Sequence, residues 1–386
     1  MNTIARYVIL VVAILISLHF ILTLTHDGYS ATVGGPFSRP HFPASNNGPT
    51  YTNPPHVVNT TSPPLAHTGL PIDPALRMNA TFVVLARNGD LDGIIKSIGD
   101  MEDRFNKKFG YPYTFLNDEP FSDEFKNRVS NIISSDVEFG LIPKEHWVQP
   151  DWIDEDKATK GREQMKADKV IYGGSVSYRN MCRFNSGFFF RHDLLQKYKW
   201  YWRIEPDVHF HCDLDYDPFK FMQDEGKVYG FTITMYEFIK TIPTLWGHVT
   251  DFIKQNPHHL AKNNAMGYMS DDGGKTYNKC HFWSNFEIAD MDFWRSDAYM
   301  EFFNYLDEKG GFYYERWGDA PVHSIGAALF LQKDQIHFFE DIGYEHNPYV
   351  HCPQGELWKK GRCACNKAKS FDYDGYSCKR QWDRIQ

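Results

Sequence analysis

The first clear pattern along the chain is a nearly continuous apolar run over residues 7–24 (YVILVVAILISLHFILTL), which carries no acid or base other than His19. As a helix it would span roughly 27 Å, close to the hydrocarbon thickness of a bilayer. Arg6 precedes it and Asp27 follows, which favours a cytosolic N-terminus and a lumenal remainder. A cleaved leader would carry a shorter apolar stretch and a small-x-small site, and Ser30-Ala31 is a poor one, so an uncleaved signal-anchor is expected. Residues 26–75 lack periodicity and are rich in Pro, Ser, Thr, Asn and Gly. Such a segment cannot bury enough surface to fold alone and reads as a stem. The expected division is a cytosolic tail (1–6), a transmembrane helix (7–25), a lumenal stem (26–75) and a globular domain (76–386).

Within that domain strand and helix patterns alternate. Residues 81–86 (TFVVLA) form an apolar, β-branched run that predicts a buried strand. The polar turn Arg87-Asn88-Gly89-Asp90 follows, and then Leu91, Ile94, Ile95 and Ile98 recur at helical spacing, predicting a helix over 91–105. Residues 113–116 predict a strand, and Ser122 N-caps a helix to about 133. Strands are predicted at 137–142, 200–204 (WYWRI) and 228–234, with a further helix ending before Lys199. The fold class is therefore α/β with a mostly parallel central sheet, and ligands are expected at the carboxyl ends of its strands.

Charge and cysteine content narrow the function classes. Lys plus Arg is 41 and Asp plus Glu is 49, a net charge of −8, which argues against nucleic acid as a partner. Aromatic residues make up 16%; flat rings serve both a large core and sugar-binding clefts. Asn59-Thr60-Thr61 and Asn79-Ala80-Thr81 are glycosylation acceptor triplets. Of seven cysteines, Cys352, Cys363, Cys365 and Cys378 crowd the C-terminal tail, a pattern that reads as disulfide stapling in an oxidising compartment. Cys363-x-Cys365 lacks zinc-site spacing, and the odd count leaves one thiol unpaired or intermolecular.

Several constellations carry candidate chemistry. Glu205-Pro206-Asp207 ends an aromatic strand, where proline fixes the backbone so that both acids project into a cleft as hard oxygen ligands for a divalent ion. A solvated turn is the competing reading. His209, His211 and Cys212 receive no role, and Asp213, Asp215 and Asp217 read as a solvated turn. Glu287 sits among apolar residues of a strand predicted over 281–290. It is either a structural acid tied to backbone donors or a carboxylate facing an anomeric carbon. The aromatic, glycine-rich segment 310–323 predicts a loop before a helix over 322–330, lining an acceptor site or packing its own rings. His346, after a strand at 336–339, is a metal-ligand candidate or a structural imidazole.

The stretches YRNMCRFNSGFFF (178–190), YWRIEPDV (201–208), VYGFTIT (228–234), TIPTLWGHVTDFIK (241–254), HFWSNFEIADMDFWRS (281–296) and GGFYYERWGDAPVHSIGAALFL (310–331) closely resemble the fungal α-1,2-mannosyltransferases of glycosyltransferase family 15. The resemblance runs from about residue 80 to 378 and implies a GT-A-like fold with 76–386 as the catalytic domain. It implies a retaining enzyme that uses Mn2+ and moves mannose from GDP-mannose onto mannose of O- or N-linked glycans. It further implies a type II protein of the Golgi membrane whose catalytic domain is lumenal. It matches Glu287 to a proposed nucleophile, His346 to a manganese ligand, and Glu205 and Asp207 to an Asp-x-Asp-like element for metal and nucleotide. Tyr178 matches a tyrosine near donor and acceptor sugars, and Arg87 or Asn88 falls where nucleotide contacts begin. The alternatives are a mannosylphosphate transferase on the same scaffold and a non-catalytic lumenal glycan-binding protein.

Overall fold

The alternation read from the N-terminal half of the domain produces four strands, β1 (Ala80–Leu85), β2 (Tyr113–Asn117), β3 (Val137–Leu141) and β4 (Trp200–Ile204). Eight short strands follow: β5 (Val208–Phe210), β6 (Tyr229–Phe231), β7 (Thr234–Tyr236), β8 (Cys280–Phe282), β9 (Ile288–Asp290), β10 (Ile336–Phe338), β11 (Tyr344–His346) and β12 (Tyr349–His351). The computed structural model describes residues 76–386. The expected tail, transmembrane helix and stem, and the Asn59 triplet, lie outside the described residues. Among the described residues no helix is long and apolar enough to cross a membrane.

The main sheet has seven strands in the order β10-β6-β9-β4-β1-β2-β3. Every pairing in it is parallel except those of β9, which runs antiparallel to both β4 and β6. The predicted mostly parallel sheet is observed, with one reversed strand near its middle. Alternation along the strands feeds two cores. Phe82, Val84, Trp200 and Trp202 pack on one face with Ile94, Ile98 and Phe105, while Val83 and Tyr201 face the other with Phe189, Trp294 and Phe302. A sheet covered on both sides explains why its strands read as nearly continuous apolar runs.

Several expected boundaries shift for identifiable reasons. The helix predicted over 91–105 is α-helical over Leu91–Met101 and widens into a π-turn at Glu102–Asn106. There the buried Glu102 carboxylate accepts from Tyr113 Oη at 2.9 Å, Asn106 Nδ2 at 2.8 Å and Ser134 N at 3.1 Å. Ser122 caps the next helix as expected, accepting from Phe125 N. The single strand predicted over 228–234 is two, β6 and β7, in different sheets. The strand predicted over 281–290 likewise breaks into β8 and β9 around a turn at 283–287. The loop predicted through 310–323 holds a helical turn at Gly311–Tyr314 and is helical again from Asp319, in Asp319–Phe330. Asp217, read as part of a solvated turn, caps the helix Pro218–Asp224. The Asn79 triplet opens β1: Asn79 Nδ2 donates to the Lys197 carbonyl at 2.7 Å and Thr81 is fully buried.

Three disulfides tie the C-terminal part together: Cys212–Cys363, Cys280–Cys378 and Cys352–Cys365. The tail is stapled as its composition suggested, and two of the three bonds reach back to the body of the domain. Cys182 is the free thiol and is buried.

Candidate active site

A cleft of about 1150 Å3 opens at the carboxyl ends of β1, β2 and β4, where Ala86, Asn117 and Glu205 line it. That is the position an open α/β sheet provides for a ligand. Its volume exceeds the range of roughly 300–1,000 Å3 usual for a single bound molecule, which leaves room for two substrates side by side.

Glu205 stands on the cleft wall and accepts a hydrogen bond from Arg203 Nε at 2.8 Å. Arg203 Nη1 also reaches Asp319 Oδ2 at 2.6 Å, and Ser284 Oγ donates to the same oxygen at 2.8 Å. Burial alone would raise the Asp319 carboxyl. Arg203, helped by His323 and the Ser284 hydroxyl, outweighs it and holds the group below the ordinary aspartate range. A charged wall Glu205–Arg203–Asp319 results. Asp319 and Arg203 were not singled out from the sequence, although the alternation in β4 puts Arg203 two residues before Glu205.

Asp207 does not join Glu205. Its backbone is left-handed, with φ +57°, so the chain turns after Pro206. The carboxylate packs against Gly93, where a Cβ would come within 2.7 Å of it, and pairs with Lys96 at 3.8 Å while remaining 70% exposed. The expectation that both acids project into one cleft holds for Glu205 alone. His346, at the end of β11, lines the cleft. Its ring stacks on Trp283 at 5.0 Å and its Nδ1 lies 2.6 Å from the Asn285 amide.

Tyr178 lies in the helix Val176–Gly187 and also lines the cleft. Its ring is sandwiched between Tyr172, stacked at 4.6 Å, and the Arg316 guanidinium, 5.0 Å away. The neighbouring Cys182 thiol and burial push the phenol well above its ordinary range, against the opposing charge of Arg316. Tyr178 therefore keeps its proton and can donate it in a hydrogen bond. Arg87 lines the cleft just beyond β1, paired to Asp90 at 3.1 Å with its side chain 71% exposed. Asn88 is turned elsewhere: its amide accepts from Ser122 N at 2.9 Å and donates to the Pro120 carbonyl at 3.1 Å.

Glu287 departs most from expectation. The turn at 283–287 presents Ser284 and Asn285 to the cleft, while the Glu287 side chain points behind it and is fully buried. Side chains, not backbone groups, surround it: Tyr201 Oη at 2.8 Å and Tyr229 Oη at 3.1 Å donate to it, and His323 Nδ1 lies 2.7 Å away. Burial and the Glu287 charge push both phenols well above their ordinary range, so each donates. His323 Nε2 contacts the Asn185 carbonyl at 2.9 Å; a carbonyl only accepts, so that nitrogen carries a hydrogen. His323 lies on an apolar helix and reads as a core residue, so no local pattern points to it.

Glu205 and His346 offer one oxygen and one nitrogen donor on the walls of the same cleft. Such a pair suits a divalent ion that takes its remaining ligands from phosphate oxygens and water. Among the described residues, the one group of three metal-binding side chains drawn close together is His258, His259 and Glu301, none of which lines this cleft.

Known proteins similar to this chain cover most of its length. The family described as glycolipid 2-alpha-mannosyltransferase matches residues 45–386. The chain is 56% identical to glycolipid 2-alpha-mannosyltransferase 2 of Candida albicans over 81% of its own length and 68% of the relative's. It is 54% identical to the alpha-1,2 mannosyltransferase KTR1 of Saccharomyces cerevisiae, over 80% and 79% of the two chains. Among solved structures, core-mannan synthase A of Aspergillus fumigatus in its Mn/GDP form superposes with a TM-score of 0.76 at 42% identity, covering 80% of this chain and 86% of that one. The mannosyltransferase Ktr4p of S. cerevisiae in complex with GDP gives 0.77 at 44% identity, covering 80% and 82%.

Proposed function

The chain belongs to the glycolipid 2-alpha-mannosyltransferase family, and from that premise we propose that it is a retaining α-1,2-mannosyltransferase. It moves mannose from GDP-mannose to mannose residues of O- or N-linked glycans. The observation that carries the reading is the convergence of Glu205, His346, Tyr178 and Arg87 on one cleft at the carboxyl ends of a mostly parallel sheet. The relative solved in its Mn/GDP form supports manganese as the cofactor and a guanosine diphosphate as the leaving group.

In this reading Glu205 and His346 hold the metal and Arg87 meets the nucleotide. A divalent ion held by these two side chains would supply positive charge for the leaving diphosphate. Arg203 fixes the Glu205 carboxylate through the 2.8 Å bond from Nε, and Trp283 and Asn285 fix the ring of His346. The Tyr178 phenol donates toward the reacting sugars from the cleft wall. Glu287 braces from behind the turn that carries Ser284 and Asn285. Asp207 and Asn88 lie outside the set of contacts.

The apolar run at 7–24 and three disulfides support a type II protein with its catalytic domain in the Golgi lumen, since such bonds persist in oxidising compartments. The test is to incubate the full chain with GDP-mannose, Mn2+ and a panel of mannosides. An α-1,2-linked product with GDP release, lost on chelation and restored by Mn2+, is expected. A phosphodiester-linked product would reassign the chain to mannosylphosphate transfer. No GDP release with any mannoside would leave only glycan binding.

A further inference from the structure

At the mouth of the cleft two chain segments present large apolar side chains to solvent. Ile171 and Tyr172 are 68% and 60% exposed, and Phe238 and Ile239 are 59% and 54% exposed. All four line the cleft. Isolated exposed apolar residues are ordinary, but a contiguous group on the rim of a functional cleft marks a binding surface.

Two further observations show that the rim is built. Lys240 Nζ meets Asp168 Oδ2 at 3.2 Å, tying the segment that carries Phe238 and Ile239 to the one that carries Ile171 and Tyr172. Lys169 and Tyr172 both hold left-handed backbone, with φ +57° and +56°. A bulky aromatic in that region is rare and persists where the surroundings enforce it. Here it sets the Tyr172 ring parallel to Tyr178, with an interplanar angle of 11°. The stack runs from the solvent edge to the tyrosine that the proposed function places beside the reacting sugars.

We propose that this rim is a subsite for the sugar next to the acceptor mannose, on its reducing side. The proposal rests on the mannosyltransferase reading. Glu205 and His346 are less exposed than the rim side chains, and Lys240 and Asp168 at the rim pair with each other. The rim therefore selects a neutral surface with an apolar face, which is what a pyranose ring offers to flat or aliphatic side chains. Its continuity with the cleft fixes the occupant as a continuation of the acceptor. The cleft volume of about 1150 Å3 is more than a donor alone requires.

The experiment compares two acceptors, methyl α-mannoside and a methyl α-mannotrioside, with the full chain, GDP-mannose and Mn2+. The wild type should use the trioside more efficiently. Phe238→Ser combined with Ile239→Ser, and separately Ile171→Ser, should raise KM for the trioside by about fivefold or more, the scale of one lost interface contact. They should leave kcat, the KM for GDP-mannose and all constants for the monosaccharide acceptor within about twofold. The exposure of these side chains keeps folding out of the comparison. Equal use of the two acceptors by the wild type, an unchanged trioside KM in the variants, or the same loss with both acceptors would each overturn the subsite. If the wild type transfers to neither acceptor, the function itself fails, and that result is distinct from all of these.

Discussion

Strands β1, β2 and β3 pair in parallel, with their helices following them directly in the chain, whereas the part after β4 is assembled from three-residue strands, most of which, the β11–β12 hairpin aside, pair with partners far away in sequence. β5 pairs with β11 and β7 with β8, and the bonds Cys212–Cys363 and Cys280–Cys378 close separations of 151 and 98 residues. Local pattern suffices to build the first region, which supplies one wall of the cleft through Arg87 and Asn117. The second region depends on distant contacts and supplies His346, Asp319 and the turn at 283–287. The two meet at β4, whose Arg203 and Glu205 join their walls.

The sharpest way to break this comparison is at the junction. Glu205→Gln should lower transfer by on the order of a hundredfold or more, read as kcat/KM, and His346→Ala should weaken Mn2+ in a metal titration by on the order of tenfold or more. An unchanged titration would remove His346 from the metal site. Next in size is Glu287→Gln, which leaves the buried site formed by Tyr201, Tyr229 and His323 mismatched at a cost of about 3–5 kcal/mol. Thermal unfolding should shift down by several degrees and transfer should be lost, with GDP binding retained. Loss of transfer at an unchanged melting temperature would instead move the carboxylate into the chemistry.

Removing one long-range staple tests the second region alone. Cys280→Ser with Cys378→Ser should cost about 2–5 kcal/mol, and hydrogen exchange should accelerate in β7, β8 and the C-terminal helix before it does in β1–β3. Equal loosening of both regions would contradict the division. A smaller effect concerns acid. The Asp319 carboxyl is held below its ordinary value by Arg203 against the pull of burial, so its stabilisation is complete above the unfolded aspartate value. It is lost as pH falls through the lower folded one. The melting-temperature gap between wild type and Asp319→Asn should therefore be full at pH 7 and narrow below about pH 4. The smallest effect is expected for Asp207→Asn, within about twofold in transfer, because an exposed ion pair contributes little.

The same contrast governs what could be read beforehand. The strands and helices of 80–141 follow periodicity, and their boundaries hold to within a few residues. Beyond β4 the apolar runs 228–234 and 281–290 each looked like one strand. Periodicity does not reveal where a run breaks between two sheets, and that break is what turns Glu287 away from the cleft. Likewise Glu205 and Asp207 are equivalent in sequence. Only a left-handed backbone at Asp207, set by packing on Gly93, separates them. Arg203, Asp319 and His323 matter through partners on other elements, which no local pattern names. Glu205, Tyr178 and His346 are legible through the resemblance to a family, and one cleft gathers all three.

The sealed thiol of Cys182 has a practical consequence. Burial holds it protonated, and it sits in the same helix as Tyr178 with no second cysteine to meet, so it can neither link two chains nor scramble the three bonds already formed. A thiol-modifying reagent should ignore the folded protein and mark one position per molecule only when that helix opens. Nature has thus left a single-site reporter in the helix that carries Tyr178, and the pace of its labelling, with and without nucleotide, would measure how firmly that side of the cleft is held.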